Sequence, residues 1–257
     1  MTGKYALLVE VIPHSPISVF VPFSSAAAES FLLPPPTTLV GALAYAYLRA
    51  QGSVRELEDG ASAAVKLLEK VEYAAAGVWG GYTFFRATER VYQHPYQRPR
   101  HWSNLGMAYA VAPRAASLFN RLLLLYLVKD ERLAKYAYGI VRVGRKEGLV
   151  SVVNVVCKDV ESIERANVCS TRFYFPRRIA SHYGGSYEIQ LLPTLSEKNF
   201  EKRASRAEEV DREEFVVPKP PGLDEIAVVL NEQGVALKLE ASTGVVEVPV
   251  PRSTVEG

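Results

Sequence analysis

The chain is predicted to adopt an α+β fold, and three features carry that prediction. Short apolar, β-rich runs alternate with two helical patterns in the order strand, helix, strand, strand, helix, strand; a long basic and aromatic insertion separates the middle two strands; and apolar alternation with turn signals closes the sequence. That order is the split βαβ pattern of a ferredoxin-like (RRM-like) fold. In it an antiparallel sheet with right-handed crossovers carries two helices on one face and leaves its other face for something else.

Residues 4–12, KYALLVEVI, form the first strand. In FLLPPPTTLVGALAYAYLRA, residues 31–50, three prolines lead into a helix over about 38–50, with Thr38 as N-cap and Leu39, Val40, Leu43 and Tyr47 as its apolar stripe. After the acidic break ELEDG, the run AAVKLLEKVEYAAAGVW begins helical and ends as a second strand near 71–79. Periodicity alone leaves RLLLLYLV, residues 121–128, open between buried helix and buried strand. Its neighbour KDERLAKYAYGIVRVG takes the helix, with Asp130 as cap, Leu133, Ala137 and Ile140 or Val141 on one face and Gly144 as stop. GLVSVVNVVC is then the next strand. The mixed-charge stretch at 195–215 reads as a solvated surface helix and linker, stiffened by VPKPPG. Turn signals at Asn231, Gly234 and Gly244 mark a small C-terminal β element that packs back on the main domain. The expected division is a palm over 1–195 with an insertion at about 80–118, a charged linker over 196–222 and the β element over 223–257.

With 257 residues, 48% hydrophobic and 23% charged, the composition excludes disordered and membrane classes. The longest apolar run, 122–128, is too short for a bilayer, and MTGKYALLVEVIPHSP lacks a secretory h-region, so a cytoplasmic protein without membrane partners is expected. Cys157 and Cys169 stand apart from any C-x-x-C or Cys/His cluster and read as small buried hydrophobes; no metal or cofactor is expected. Scarce Met, Cys, Asn and Gln beside abundant Pro and Arg hint at a thermophile. The net charge of +2 says little in itself, because the basic residues are unevenly placed.

Residues 84–114, FFRATERVYQHPYQRPRHWSNLGMAYAVAPR, interleave Arg86, Arg90, Arg98, Arg100 and Arg114 with Tyr92, Tyr96 and Trp102, and Glu89 is their only acid. Guanidinium forks pair with phosphates and flat rings stack on unpaired bases, so this alternation suits a groove for single-stranded nucleic acid. A second patch sets Arg172, Arg177 and Arg178 among Phe173, Tyr174, Phe175, Tyr183 and Tyr187; Gly184 and Gly185 suit either an anion nest or a hairpin turn. A third, VRVGRKEG, holds Arg142, Arg145 and Lys146 at a helix end, where complementing the helix dipole is the alternative role. Thr37 and Thr38 at a rigid helix start can hold a phosphate, or the prolines and Gly41 can serve packing alone; the spacing of a nucleotide P-loop is absent. His14, His94, His101 and His182 lie in separate segments. No catalytic residue is assigned, although His101 beside Arg100 and a nearby Tyr could supply metal-independent ribonuclease chemistry.

FLLPPPTTLVGALAYAYLRA resembles the signature that follows the first strand in the CRISPR-associated Cas-five family. GIVRVGRKEGLVSVVNV is similar to the second helix and fourth strand of its archaeal type I-A branch, and STRFYFPRR resembles a later segment of that branch; the three matches, in order, span roughly residues 1–190. The resemblance implies a ferredoxin-like palm with an inserted thumb, acting as a non-catalytic subunit of a Cascade interference complex in antiviral defence. Such a subunit grips the 5′ handle of the CRISPR RNA, caps a filament of Cas-seven-type backbone subunits beside other Cascade proteins, and meets target DNA through the complex. Carried over, Pro34 to Thr38 shape the handle pocket, and Arg145 and Lys146 lie on the GRKEG turn. Together with the residues of the basic and aromatic patches, the expected RNA-binding set is Thr37, Thr38, Arg86, Arg90, Tyr92, Arg98, Arg100, His101, Trp102, Arg145, Lys146, Arg172, Arg177 and Arg178. The alternative is a metal-independent endoribonuclease that processes precursor CRISPR RNA, as a type I-C branch does with a Tyr and a Lys-His pair. Here Tyr45 and Tyr47 lie on the first helix, no Lys-His dipeptide exists, and Arg100-His101 comes nearest; the glycine-rich loop of such folds is present only as YGGSY.

Overall fold

The computed structural model describes residues 3–22, 29–53, 62–92, 109–201 and 209–256, and of 89–92 and 109–113 the backbone alone. The architecture is α+β with antiparallel sheets. Its first half runs β1 (Tyr5–Pro13), α1 (Pro36–Ala50), β2 (Val71–Tyr92), β3 (Tyr109–Val128), α2 (Leu133–Ala137) and β4 (Val150–Asp159). These four strands form one sheet in the order β2-β3-β1-β4, every neighbouring pair antiparallel. The second half is a series of short strands: β5 (Arg165–Ala166), β6 (Val168–Thr171), β7 (Phe175–Pro176), β8 (Ala180–Gly184), β9 (Tyr187–Pro193), β10 (Arg212–Pro218), β11 (Ile226–Leu230), β12 (Gly234–Ala241) and β13 (Gly244–Pro251). They make three three-stranded sheets, β7-β10-β9, β6-β11-β8 and β13-β12-β5.

The ambiguous RLLLLYLV run is the central strand of the large sheet, and its register explains the unbroken apolar sequence. Leu7 opposite Tyr126 and Val9 opposite Leu124 point to one face, while Leu8 opposite Leu125 and Glu10 opposite Leu123 point to the other. On the first face Tyr126 Oη donates to the Leu39 carbonyl of α1, 3.0 Å away. On the second, Glu10 meets Ser242 in the turn between β12 and β13. Both faces are therefore covered, and every residue of 122–128 is buried. The C-terminal hairpin thus occupies the sheet face that the helices leave.

Glu10 is fully buried and its carboxylate is saturated. Arg121 Nη1 donates to it at 3.0 Å, Asn154 Nδ2 at 2.7 Å, and the Ser242 N–H and Oγ at 2.6 Å each. Burial pushes this carboxyl up, but the hydrogen bonds from Asn154, Ser242 and Arg121 together outweigh burial and hold it below the usual range. One side chain thereby joins β1, β3, β4 and the C-terminal turn.

The proline lead-in to α1 is buried from Leu33 to Pro36. Prolines carry no N–H, so a buried run of them leaves only carbonyls to satisfy. Tyr174 Oη donates to the Pro34 carbonyl at 3.1 Å and Ser117 Oγ to that of Leu32 at 2.7 Å. Burial raises the Tyr126 and Tyr174 phenols well above their ordinary values, so both remain donors. The helix begins earlier than expected. Pro35 is its N-cap and Pro36 its first residue, and Thr38 is not the cap: the N–H groups of Thr38 and Leu39 both donate to the Pro35 carbonyl.

Three further expectations are corrected, and the stretch expected as an insertion takes a definite form. The insertion at 80–118 is, in its described part, a continuation of β2 and β3: after a bulge at Gly80–Gly81 (φ 72° and 83°), the two strands pair as a ribbon as far as Tyr92 opposite Tyr109. The second helix is short, ending at Ala137, and Gly144 sits in the following loop rather than at a helix end. The charged stretch at 195–215 begins as a 3-10 turn at Glu197–Asn199 and ends inside β10, whose Phe215, Val216 and Val217 are buried. The C-terminal β element is interleaved with the preceding segment, since β11 pairs with β6 and β8, and β12 with β5. A second apolar cluster around Phe175, Ile179, Val216 and Val228 results. Neither cysteine is in a disulfide; burial pushes the Cys169 thiol up to about 12, the environment expected of a buried hydrophobe. Among the described residues no helix is long and apolar enough to cross a membrane.

Replacing Glu10 by Gln breaks a buried ion pair and is expected to lower unfolding free energy by about 3 kcal/mol, read as a urea midpoint. Because the folded carboxyl titrates below its ordinary value of 4.5, its contribution is full above that pH and is lost as pH falls through the depressed value. The midpoint gap between wild type and Glu10→Gln should therefore hold at neutral pH and narrow in acid; a gap that widens in acid would contradict this account.

Candidate nucleic-acid interface

Along α1, Thr38, Gly41, Ala42 and Tyr45 fall at i, i+3, i+4 and i+7, a stripe that does not face the sheet. They line a cleft of about 390 Å³ whose other wall is Ser18, Val19 and Phe20 from the segment after β1, and Arg142, Gly144 and Arg145 from the loop before β4. The loop is fixed by its own backbone: Val143 N–H donates to the Gly148 carbonyl at 2.9 Å, and Gly148 N–H to that of Arg145 at 2.9 Å. Two guanidinium groups lie over rings, Arg142 5.5 Å from the Tyr45 centroid and Arg145 4.3 Å from that of Phe20. Neither arginine has a carboxylate within 4.0 Å among the described residues, and Lys146 beside them is exposed and equally unpaired. A Cβ on Gly41 would meet nothing within 4 Å, so the glycine leaves the cleft floor open rather than letting helix and sheet approach.

The cleft continues past Arg145 into a smaller cavity of about 180 Å³ lined by Phe85 and Ala87 of the ribbon with Arg114 and Glu147. Arg114 lies 3.8 Å from the Glu147 carboxylate. That carboxyl is held below the usual range, first by its own backbone N–H and then, against burial, by Arg114, Arg145 and Lys146. The local potential is positive, and the arrangement suits a phosphate chain passing the helix start with bases against Tyr45 or Phe20.

The structure brings Thr38 and Arg145 of the sequence-derived set together in the cleft, with Thr37 next to Thr38 on the first turn of α1 and Lys146 exposed next to Arg145 in the loop. Arg86 is exposed on the ribbon; Arg90 and Tyr92 lie within β2, their side chains outside the described residues. Arg98, Arg100, His101 and Trp102 lie outside the described residues altogether. Arg172, Arg177 and Arg178 are elsewhere and already engaged. Arg172 pairs with Glu225 at 3.2 Å, donates to the Leu223 carbonyl and lies over Trp79; Arg177 pairs with Glu214 at 2.7 Å and Arg178 with Glu213. The second patch is acid-poor in sequence but not in space, because β10 and the 223–225 turn supply the carboxylates. Its rings are corrected as well: Phe173, Tyr174 and Phe175 are buried to 1% or less and offer no face to a base. The 172–174 segment instead closes the outer edge of β2 through Val78 N–H to the Arg172 carbonyl and Tyr174 N–H to that of Ala76. That approach needs Gly77, where a Cβ would stand 2.6 Å from the Phe173 ring.

Sequence reasoning left Phe20, Tyr45 and Arg142 out of the RNA-binding set, although it named Arg142 in the third patch and Tyr45 on the first helix. A usable signal was present in the helix: Thr38, Gly41 and Tyr45 interrupt the apolar pattern at one-turn spacing, as a lined rather than packed face does.

No family model matches the chain. Among curated proteins, an aCascade subunit Cas5 of Saccharolobus solfataricus is 30% identical over 170 residues, covering 63% of this chain and 68% of its own length. A second Cas5 protein of the same archaeon is 32% identical over 167 residues with the same coverage. Among solved structures, a CRISPR protein from Archaeoglobus fulgidus superposes with a TM-score of 0.60 over 95% of this chain and 98% of that one, at 20% identity, which shows a shared fold. On this sequence similarity, over two thirds of the length of those relatives, the chain belongs to the Cas5 family of CRISPR-associated proteins.

Proposed function

We propose that this chain is a non-catalytic, guide-RNA-binding subunit of a type I-A Cascade complex, and that the cleft between α1 and the 141–148 loop grips the 5′ handle of the CRISPR RNA. The observation that carries this reading is the pair of unpaired arginines, Arg142 and Arg145, stacked over Tyr45 and Phe20 beside the open helix stripe of Thr38 and Gly41. In this reading the β2-β3-β1-β4 sheet with α1 and α2 is a ferredoxin-like palm, and the β2–β3 ribbon beyond Gly80–Gly81 is the thumb. The description of one Saccharolobus relative as an aCascade subunit supports a place in such an assembly. The proposed partners there are Cas-seven-type backbone subunits, with target DNA reached through the complex. Arg172, Arg177 and Arg178 are given a structural role, because a phosphate approaching them would have to displace a carboxylate that stays beside it. Binding is favoured over RNA cleavage by the character of the cleft, guanidinium groups over rings beside a helix start; of the histidines, His14 meets Ser151 Oγ at 2.6 Å, His182 is exposed on β8, and His94 and His101 lie outside the described residues.

Arg142→Ala/Arg145→Ala should weaken binding of a handle-bearing RNA by roughly tenfold or more and reduce the salt dependence, while Arg177→Ala/Arg178→Ala should stay within about twofold, by fluorescence anisotropy. The reverse ranking would move the site to the second patch. Gly41→Ala should raise stability by about 0.5–1 kcal/mol, since the added methyl meets open space in a helix interior. Gly41→Gln should leave the thermal midpoint intact and cut RNA affinity several-fold; a lower midpoint for both variants would make Gly41 a packing residue. Repeat RNA incubated with excess protein in EDTA should remain intact, and discrete cleavage within the repeat would replace this reading with the endoribonuclease.

A further inference from the structure

A second cleft lies against the same ribbon on its other face. Side chains alternate along β2, so Phe85 and Ala87 line the small cavity beside Arg145, whereas Phe84 and Arg86 line a larger cleft of about 540 Å³. Arg212 of β10 and Lys219 just beyond it reach the same space. None of these three cations has a carboxylate within 4.0 Å among the described residues. They differ in this from Arg172, Arg177 and Arg178, each held by a glutamate.

Arg212 is the most telling of the three. Its Nη2 donates to the Pro22 carbonyl at 3.4 Å, and its Nε is buried with no acceptor among the described residues. A buried polar group without a partner is uncommon in a folded chain, and here it marks a guanidinium that protein groups leave unsatisfied. Glu29 and Glu188 also border the cleft; the Glu188 carboxylate accepts from Gln190 Nε2 at 3.2 Å. Phe84 adds a half-buried ring next to the cations. Unpaired arginines, an unpaired lysine and a ring within one open cleft match a phosphodiester chain better than a compact metabolite, for which the cleft is wide and shallowly enclosed.

We propose that this cleft is a second nucleic-acid site, holding the phosphodiester backbone of a strand on the ribbon face opposite the first cleft. It stands on its own cations and does not depend on the first cleft being the handle site. The strand is either a continuation of the guide RNA over the ribbon or a second strand bound beside it, and the two are separable.

The test uses the full chain, a labelled single-stranded RNA, and a labelled single-stranded DNA of equal length added after unlabelled RNA has saturated the protein. Arg86 and Lys219 are exposed and unpartnered, so Arg86→Ala/Lys219→Ala should keep the wild-type thermal midpoint, and Lys219→Ala alone serves as a milder second variant. The double variant should weaken one probe roughly tenfold and lower its salt slope by about 1.4, as expected for two lost phosphate contacts to a single strand. Loss confined to RNA identifies the guide backbone; loss confined to DNA on the RNA-saturated protein identifies a second strand. Arg142→Ala/Arg145→Ala, measured in parallel, reports on the first cleft independently. Labelled poly-glutamate is run in parallel as a third probe. Unchanged affinity and slope for both nucleic acids overturns the proposal, and so does a loss seen only with poly-glutamate, which would make the cleft a contact for an acidic protein segment.

Discussion

The start of α1 depends on a constraint that is unusual for its place: a stretch of backbone with almost no hydrogen-bond donors, buried where three parts of the chain meet. Pro34, Pro35 and Pro36 can be enclosed without orphaned N–H groups, and the carbonyls around them take hydroxyl protons from Ser117, Tyr126 and Tyr174. Two of those donors sit on β3 and the third on the segment that closes the edge of β2. The first turn of α1 is thereby referred to the sheet, and Thr38, Gly41 and Tyr45 face the cleft at a fixed angle. Fixing φ at three successive positions also limits what the unfolded chain can lose on ordering.

Glu10 does for the other face of the sheet what the prolines do for the helix face. A buried carboxylate is tolerated only when its acceptor sites are filled, and here β3, β4 and the β12–β13 turn each supply a donor. The C-terminal hairpin is therefore held in register with the sheet by a polar network as well as by apolar burial. Among the described residues the four-stranded sheet offers no open face for RNA stacking: the face without helices is occupied by the chain's own C-terminal hairpin, so candidate contacts fall at the helix start, the loop before β4 and the flanks of the ribbon.

Much of the strand and helix order was legible because most elements bury a definable pattern: β1, α1 and β4 lie close to where periodicity puts them, and the strand at 121–128 follows from the helical pattern beside it. What was not legible follows from pairing at a distance. The 80–118 stretch carries turn-like and basic residues that read as a separate insertion, yet its ends simply prolong two strands already started, and only the register Tyr92 to Tyr109 reveals it. The 195–215 stretch is dense in charge, and no local property says that Arg212 to Pro218 will find β9 on one side and β7 on the other. Phe173, Tyr174 and Phe175 show the same limit for function. In sequence an aromatic next to arginine reads equally as a stacking platform or as core, and burial alone decides.

Ion pairing separates these cases more sharply than residue type does. An arginine already held by a carboxylate gains little from a phosphate, because the exchange leaves the carboxylate nearby and repelling. An arginine with no carboxylate in reach, whether it lies over a ring or is buried without an acceptor, has no such competitor. Applied along this chain, the criterion moves weight from Arg172, Arg177 and Arg178 to Arg142, Arg145, Arg86 and Arg212, although all seven look alike as letters in a basic, aromatic sequence. The partners that neutralise the first group come from residues 213–225, some forty positions further along the chain. Local acid-poverty is therefore a property of the sequence, whereas availability to a phosphate is a property of the fold.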